Sequence, residues 1–98
     1  MNFADLITED RRLVILRVLA EDPGYALNMY LIQDCLKLLG HAVSMDRVVT
    51  DLDWLAEQGL ITVSGVSGVK VASLTVRGAD VASGRAVVTG VKRPLPGE

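Results

Sequence analysis

The sequence lacks the residues that disulfides, metal centres and membrane spans require. It has 98 residues and a single cysteine, Cys35, which excludes an internal disulfide and a cysteine-based zinc site. No apolar run approaches the roughly 18 residues that span a bilayer. The N-terminal MNFADLITEDRR opens with acids rather than with a basic region before an apolar stretch, unlike a secretory signal. We therefore expect one soluble, cytoplasmic domain without a membrane partner.

Positive charge is also scarce, and it is unevenly spread. The net charge is −2, which argues against strong nonspecific binding to nucleic acid. Residues 1–59 contain five basic and ten acidic side chains, whereas residues 60–98 contain five basic and two acidic ones. Any attraction to an anion is therefore expected to come from the C-terminal third.

Apolar residues at helical spacing, bounded by capping residues, predict three helices. The first begins at Thr8 and stops before Pro23. It is apolar nearly all round, which predicts a central core helix that also contacts a second copy. The second begins after Asn28 and ends at Gly40, and the third covers residues 44–58. Cys35 falls on the apolar face of the second helix, as expected for a small core residue.

A β-hairpin is predicted after the third helix. Two β-rich segments, 60–64 and 69–74, flank a four-residue loop, Gly-Val-Ser-Gly, at 65–68. A short fourth helix then follows between Thr75 and Gly84, and a short strand is predicted at 86–88. The remaining residues contain two prolines and a glycine, which favours a flexible tail.

Helix, turn, helix and hairpin, in this order, resemble the winged helix-turn-helix superfamily. The segment DLDWLAEQGLI resembles the end of a recognition helix that runs into a wing, and SLTVRGADVASG resembles the exit from the wing in bacterial regulators of the MarR and PadR type. The positions that carry this resemblance are Leu52, Leu55, Gly59, Leu60, Ile61, Leu74, Thr75, Gly78, Ala82 and Gly84. The length and the VKRPLP ending also resemble small proteins of Mu-like bacteriophages and prophages.

The resemblance implies an α+β fold. A winged helix-turn-helix domain at residues 1–85 would have a three-helix core, a C-terminal hairpin wing and a short fourth helix. Residues 86–98 would add a short strand and a flexible tail.

The resemblance also implies that the helix at 44–58 enters the major groove of double-stranded DNA. In that arrangement Arg47 would pair with guanine, while Ser44 and Thr50 would contact phosphates or bases. Lys70 of the wing and Lys92 and Arg93 of the tail would add contacts to the DNA backbone. At helical spacing, the face opposite the core carries Arg47, Thr50, Trp54 and Glu57, with Ser44 and Asp51 at its edge.

Acidic residues on the same helix leave a second interpretation open. Asp51 and Asp53 would repel phosphates unless each is neutralised or faces a cytosine. The alternative to a DNA-reading helix is therefore a solvated helix face on a fold that does not bind DNA.

Trp54 is the only tryptophan, and its position in the helical repeat places it outside the core-facing side of the third helix. One interpretation is that it folds back onto the base of the wing or the tail and is partly buried. The other is that it anchors a protein partner, since tryptophan is enriched at interface hot spots.

His41, Ser44 and Asp46 suggest a hydrolase triad by composition only. Ser44 is needed as a helix cap, and no loop that would stabilise an oxyanion is apparent. We expect no catalytic residues, no metal site and no cofactor, and hence no enzyme.

Two functions follow from the sequence. The first is a homodimeric DNA-binding protein, either a small transcriptional regulator or a phage accessory factor. The second is a protein-protein interaction module on the same fold, for example in phage assembly or DNA packaging.

Overall fold

The computed structural model describes residues 1–97, which form four helices and a three-stranded antiparallel sheet. This agrees with the α+β class expected from the sequence. None of the helices in this range is both long enough and apolar enough to cross a membrane. In chain order the elements are α1 Phe3–Glu21, β1 Ala26–Asn28, α2 Met29–Leu38, α3 Met45–Glu57, β2 Ile61–Val66, β3 Val69–Leu74 and α4 Val76–Ser83.

Three of the helices begin at the capping residues that the sequence predicted. Asn28, Ser44 and Thr75 each accept a backbone N–H hydrogen bond from the first turn of the helix that follows. The predicted start of α1 at Thr8 is wrong. The side chain of Asn2 accepts from the amide of Asp5 at 2.9 Å, and α1 therefore begins at Phe3.

The sheet has the order β1-β3-β2, and its short strand β1 was not predicted. β1 pairs with β3 from Ala26, opposite Ser73, to Asn28, opposite Val71. Asn28 is thus the last residue of the strand and also the cap of α2, so no loop separates the sheet from that helix.

The hairpin between β2 and β3 is tighter than the sequence suggested. Val66 pairs with Val69, which leaves Ser67 and Gly68 alone in the turn. Both have positive φ, 52° and 80°, as in the two-residue turns that match the twist of paired strands. The predicted four-residue loop at 65–68 is therefore wrong, because its first two positions belong to β2.

The core lies between α1, α2, α3 and the inner face of the sheet. α4 packs against α1 and approaches the start of β2 closely. At Gly78, which is buried in α4, an added Cβ would lie 2.0 Å from the carbonyl oxygen of Leu60. Cys35 on α2 is half-buried rather than fully enclosed. The completely buried apolar side chains are Ile15, Leu16, Leu19, Ile32, Leu36, Val48, Leu52, Leu55, Leu60 and Ala72.

The segment after α4 differs from its prediction. Residues 86–88 form no strand. Val88 and Val91 are only 8% and 5% exposed, and the amide of Lys92 donates to the carbonyl of Glu9 at 3.1 Å. This part of the C-terminal segment lies packed against α1, because its two valines complete the apolar core.

Candidate nucleic-acid interface

The exposed face of α3 combines one cation with three acids. Arg47 and Thr50 lie on its first two turns, and Asp53 and Glu57 lie beyond them. Asp46 in the first turn is also exposed. Arg47 and Thr50 are therefore on the face that the helical phase predicted, at the end of the helix that usually reads base edges in helix-turn-helix proteins.

Asp51 is not at the edge of this face, and its predicted surface position is wrong. It is 1% exposed and accepts from Nε and Nη2 of Arg11, at 2.5 and 3.4 Å. The guanidinium of Arg11 is equally enclosed, with a side-chain exposure of 5%. The pair neutralises Asp51 inside the fold, so only Asp53 of the two suspected carboxylates would face phosphates.

Trp54 contacts both α1 and the C-terminal segment. The guanidinium carbon of Arg12 lies 3.8 Å from the centre of the tryptophan ring, and Nη1 of Arg12 donates to the carbonyl of Gly90 at 3.0 Å. At Gly90 an added Cβ would lie 2.7 Å from the ring. Burial lowers the pKa of the Arg12 guanidinium, and the nearby Asp51 opposes that shift.

Trp54 is therefore half-buried against the C-terminal segment, as one of its two interpretations predicted. Its role as an anchor for a protein partner stays a prediction, restricted to the part of the ring that remains accessible.

The hydroxyl groups of Ser44 and Thr50 have partners within their own helix. The Ser44 hydroxyl accepts from the amide of Arg47 at 3.2 Å, and the Thr50 hydroxyl donates to the carbonyl of Asp46 at 2.9 Å. Both residues are exposed and lie at the same end of α3 as Arg47. The structure thus brings these three predicted contact residues together.

The other predicted DNA contacts lie elsewhere. Lys70 is on β3, opposite Gly65 near the turn of the hairpin, and is half-exposed. Nζ of Lys92 lies 3.5 Å from Asp10 on α1. Arg93 lines a cleft with Arg17 and the end of α4, to which no residue of α3 contributes.

His41 is buried and pairs with α1 instead of with its sequence neighbours. Its Nε2 lies 2.7 Å from a carboxylate oxygen of Asp10. The hydroxyl of Ser44 is engaged as a cap, so the triad that the composition suggested is not assembled. No cluster of three or more metal-ligating side chains occurs within residues 1–97.

No family model matches the chain. Protein gp26 of Escherichia phage Mu is 56% identical over 92 residues, which cover 94% of this chain and 95% of gp26. A protein of Haemophilus influenzae is 53% identical over 78 residues, or 79% of this chain and 76% of its own length.

Among solved structures, the complex structure of the winged-helix protein hsRosR-S1 superposes with a TM-score of 0.60 and 28% identity. The match covers 70% of this chain and 61% of that one, so it spans less than two thirds of the hsRosR-S1 chain. With its four helices and three-stranded antiparallel sheet, and with sequence identity along nearly its whole length, the chain belongs to the family of phage Mu protein gp26.

Proposed function

We propose that this protein binds duplex DNA and places the first two turns of α3 in the major groove. The observation that carries the proposal is the exposed Arg47 at the reading end of α3, in a fold shared with a winged-helix protein. The burial of Asp51 against Arg11 supports it, since that carboxylate does not face the DNA.

The charges on α3 determine how the helix approaches DNA. Asp53 and Glu57 are exposed toward its C-terminal end, so that end must tilt away from the phosphates. The N-terminal end then enters first, where Arg47 can donate two hydrogen bonds to a guanine. Lys70 follows from the wing as a backbone contact.

Membership in the gp26 family supports a phage-encoded role. Within it, we propose a small regulator of phage transcription or an accessory factor that acts on phage DNA. Because few cations line the reading surface, most of the affinity must come from contacts to base edges, with little from phosphate contacts.

The test is a selection of bound duplexes from a random-sequence library, followed by titration of the selected site with Arg47→Ala. We expect the loss of the guanine contact to weaken binding by about tenfold or more and to relax preference at one base pair. Arg77→Ala, which removes an exposed arginine of α4, is the matched control and should change affinity by less than about twofold. Equal affinity of Arg47→Ala and the wild type would contradict groove reading.

A second function is supported by the acidic stripe on α3, formed by Asp46, Asp53 and Glu57. If no duplex binds even at low salt, we propose that this stripe docks against a basic protein surface in phage assembly or DNA packaging. Cross-linking in phage-producing cells would identify that partner, and the double substitution of Asp53→Asn with Glu57→Gln should abolish the cross-link. A cross-link that survives this substitution would exclude the stripe.

A further inference from the structure

The first two turns of α1 project from the rest of the fold. Residues 1–7 are all exposed, including Phe3 at 77%, Leu6 at 54% and Ile7 at 37%. Clustered exposed apolar side chains of this kind are typical of an interaction surface.

Two of the projecting apolar residues, Phe3 and Ile7, lie on a face that continues along α1. At about 100° per residue, this face lies within about 60° of Val14 on either side. Beyond Ile7 it forms one wall of a shallow groove, whose other side is Leu39. We call the residues of this face that are not buried the α1 stripe; they are Phe3, Ile7, Asp10, Val14, Arg17, Val18 and Glu21, whereas Arg11 at the edge of the face is buried.

We infer that the α1 stripe packs against the α1 stripe of a second copy, antiparallel, with the two-fold axis at Val14. Asp10 precedes Val14 by four positions and Arg17 follows it by three. A two-fold rotation therefore places Asp10 beside Arg17 of the second copy, displaced along the axis by about one residue rise, ~1.5 Å. The two-fold symmetry gives two such pairs, Asp10 of each copy with Arg17 of the other.

Asp10 remains accessible for such a contact. Its side chain is 38% exposed while it contacts His41 and Lys92 within its own chain. A parallel arrangement would instead place Asp10 against Asp10 and Arg17 against Arg17, and like charges at such positions are unfavourable. The charge pattern thus favours the antiparallel pair.

The same rotation covers the projecting turns. Ile7 comes to lie over the methylenes of Glu21 of the second copy. Phe3 reaches the turn after α1, where Tyr25 is 55% exposed. Phe3 and Ile7, which have no cover in one chain, therefore meet Tyr25 and the methylenes of Glu21 in the other.

The length of α1 limits the strength of this dimer. Nineteen helical residues measure about 28 Å, and the stripe is one helix wide. Such a contact lies at the low end of specific interfaces, so we expect it to dissociate on dilution.

Sedimentation velocity of the full chain, from micromolar to submillimolar concentration, tests the pairing without DNA. We expect a reversible dimer whose dissociation constant rises by about tenfold or more in Ile7→Glu. Val76→Glu introduces the same charge at an apolar residue of α4 that is 82% exposed, and it should leave the dimer unchanged. A chain that stays monomeric throughout, or an equal effect of both substitutions, would overturn the inference and leave the stripe to another partner.

The register has a test of its own. In a Cys35→Ser background, oxidation of Val14→Cys should produce a disulfide-linked dimer, since the two thiols meet at the axis. Val76→Cys in the same background should not cross-link. A wild-type dimer in which Val14→Cys fails to cross-link would contradict the antiparallel register. Because no DNA is present, either failure leaves the proposed function standing.

Discussion

Arg11 and Asp51 are forty positions apart in the sequence and form a buried ion pair between α1 and α3. Nε of Arg11 lies 2.5 Å from one carboxylate oxygen, and Nη2 lies 3.4 Å from the other. Nε of Arg12 approaches the second oxygen at 3.9 Å. The orientation of α3 on α1 is therefore determined by charge as well as by apolar packing.

We predict that Asp51→Ala lowers the free energy of unfolding by about 3–5 kcal/mol. The substitution leaves the Arg11 guanidinium buried without its carboxylate, which is far costlier than loss of a surface pair. Urea denaturation followed by circular dichroism measures the change. Asp53→Ala, at an exposed position of the same helix, should stay within about 0.5 kcal/mol of the wild type. A loss below about 1 kcal/mol for Asp51→Ala would show that the pair is not enclosed.

Gly78→Ala should be one of the most damaging single-methyl additions in the chain. Its new Cβ would lie 2.0 Å from the Leu60 carbonyl oxygen, so α4 would have to move away from the start of β2. We expect a loss of about 3 kcal/mol or more in thermal or urea unfolding. At Gly65 the nearest atom would be an ordinary 3.7 Å away, so Gly65→Ala should be neutral or slightly stabilising. Equal stability of the two variants would contradict the close approach at Gly78.

Two neighbouring valines test the packing of the C-terminal segment. Val88 is 8% exposed and Val87 is 61% exposed. We predict that Val88→Ser destabilises the protein by about 2 kcal/mol, whereas Val87→Ser changes stability by less than about 0.5 kcal/mol. Because Gly90 contacts Trp54, loosening of the segment by Val88→Ser should also shift tryptophan emission to longer wavelength. Identical emission and stability in both variants would indicate that the segment does not pack as described.

The acids on α3 should limit DNA affinity if the proposed docking is correct. Replacing Asp53 by Asn and Glu57 by Gln removes two exposed negative charges without changing side-chain size much. We expect the double variant to bind the selected duplex several-fold more tightly at low salt, with the difference shrinking as salt screens the charges. Anisotropy titrations at two salt concentrations provide the measurement. Asp80→Asn on α4 is the control, and a matching gain there would indicate a net-charge effect unrelated to α3.

Local signals explain which parts of the fold the sequence could predict. The caps Asn28, Ser44 and Thr75 act within one helical turn. The starts of α2, α3 and α4 can therefore be predicted from a few neighbouring residues. β1 was missed because three residues carry no periodicity of their own. They become a strand only through pairing with β3, more than forty positions later.

The candidate site also combines features set by local sequence with features set by distant residues. The exposure of Arg47 follows from its phase on α3. The burial of Asp51 does not follow from its phase. A charged residue at the edge of the exposed face is buried only if an opposite charge compensates it, and the compensating Arg11 lies far away in sequence. The charged Arg11 beside the apolar run of α1 was the one available signal, and it does not identify a partner by itself.

The junction at Asn28 connects the sheet to α2 without an intervening loop. A residue that ends one hydrogen-bonded ladder and caps the next helix leaves no hinge between them, so the sheet cannot swing without carrying the helix along. Any force that a bound molecule applies to the tip of the hairpin would pass through β3 and β1 directly into α2. We therefore expect the hairpin and α2 to move together when a molecule binds at the hairpin tip.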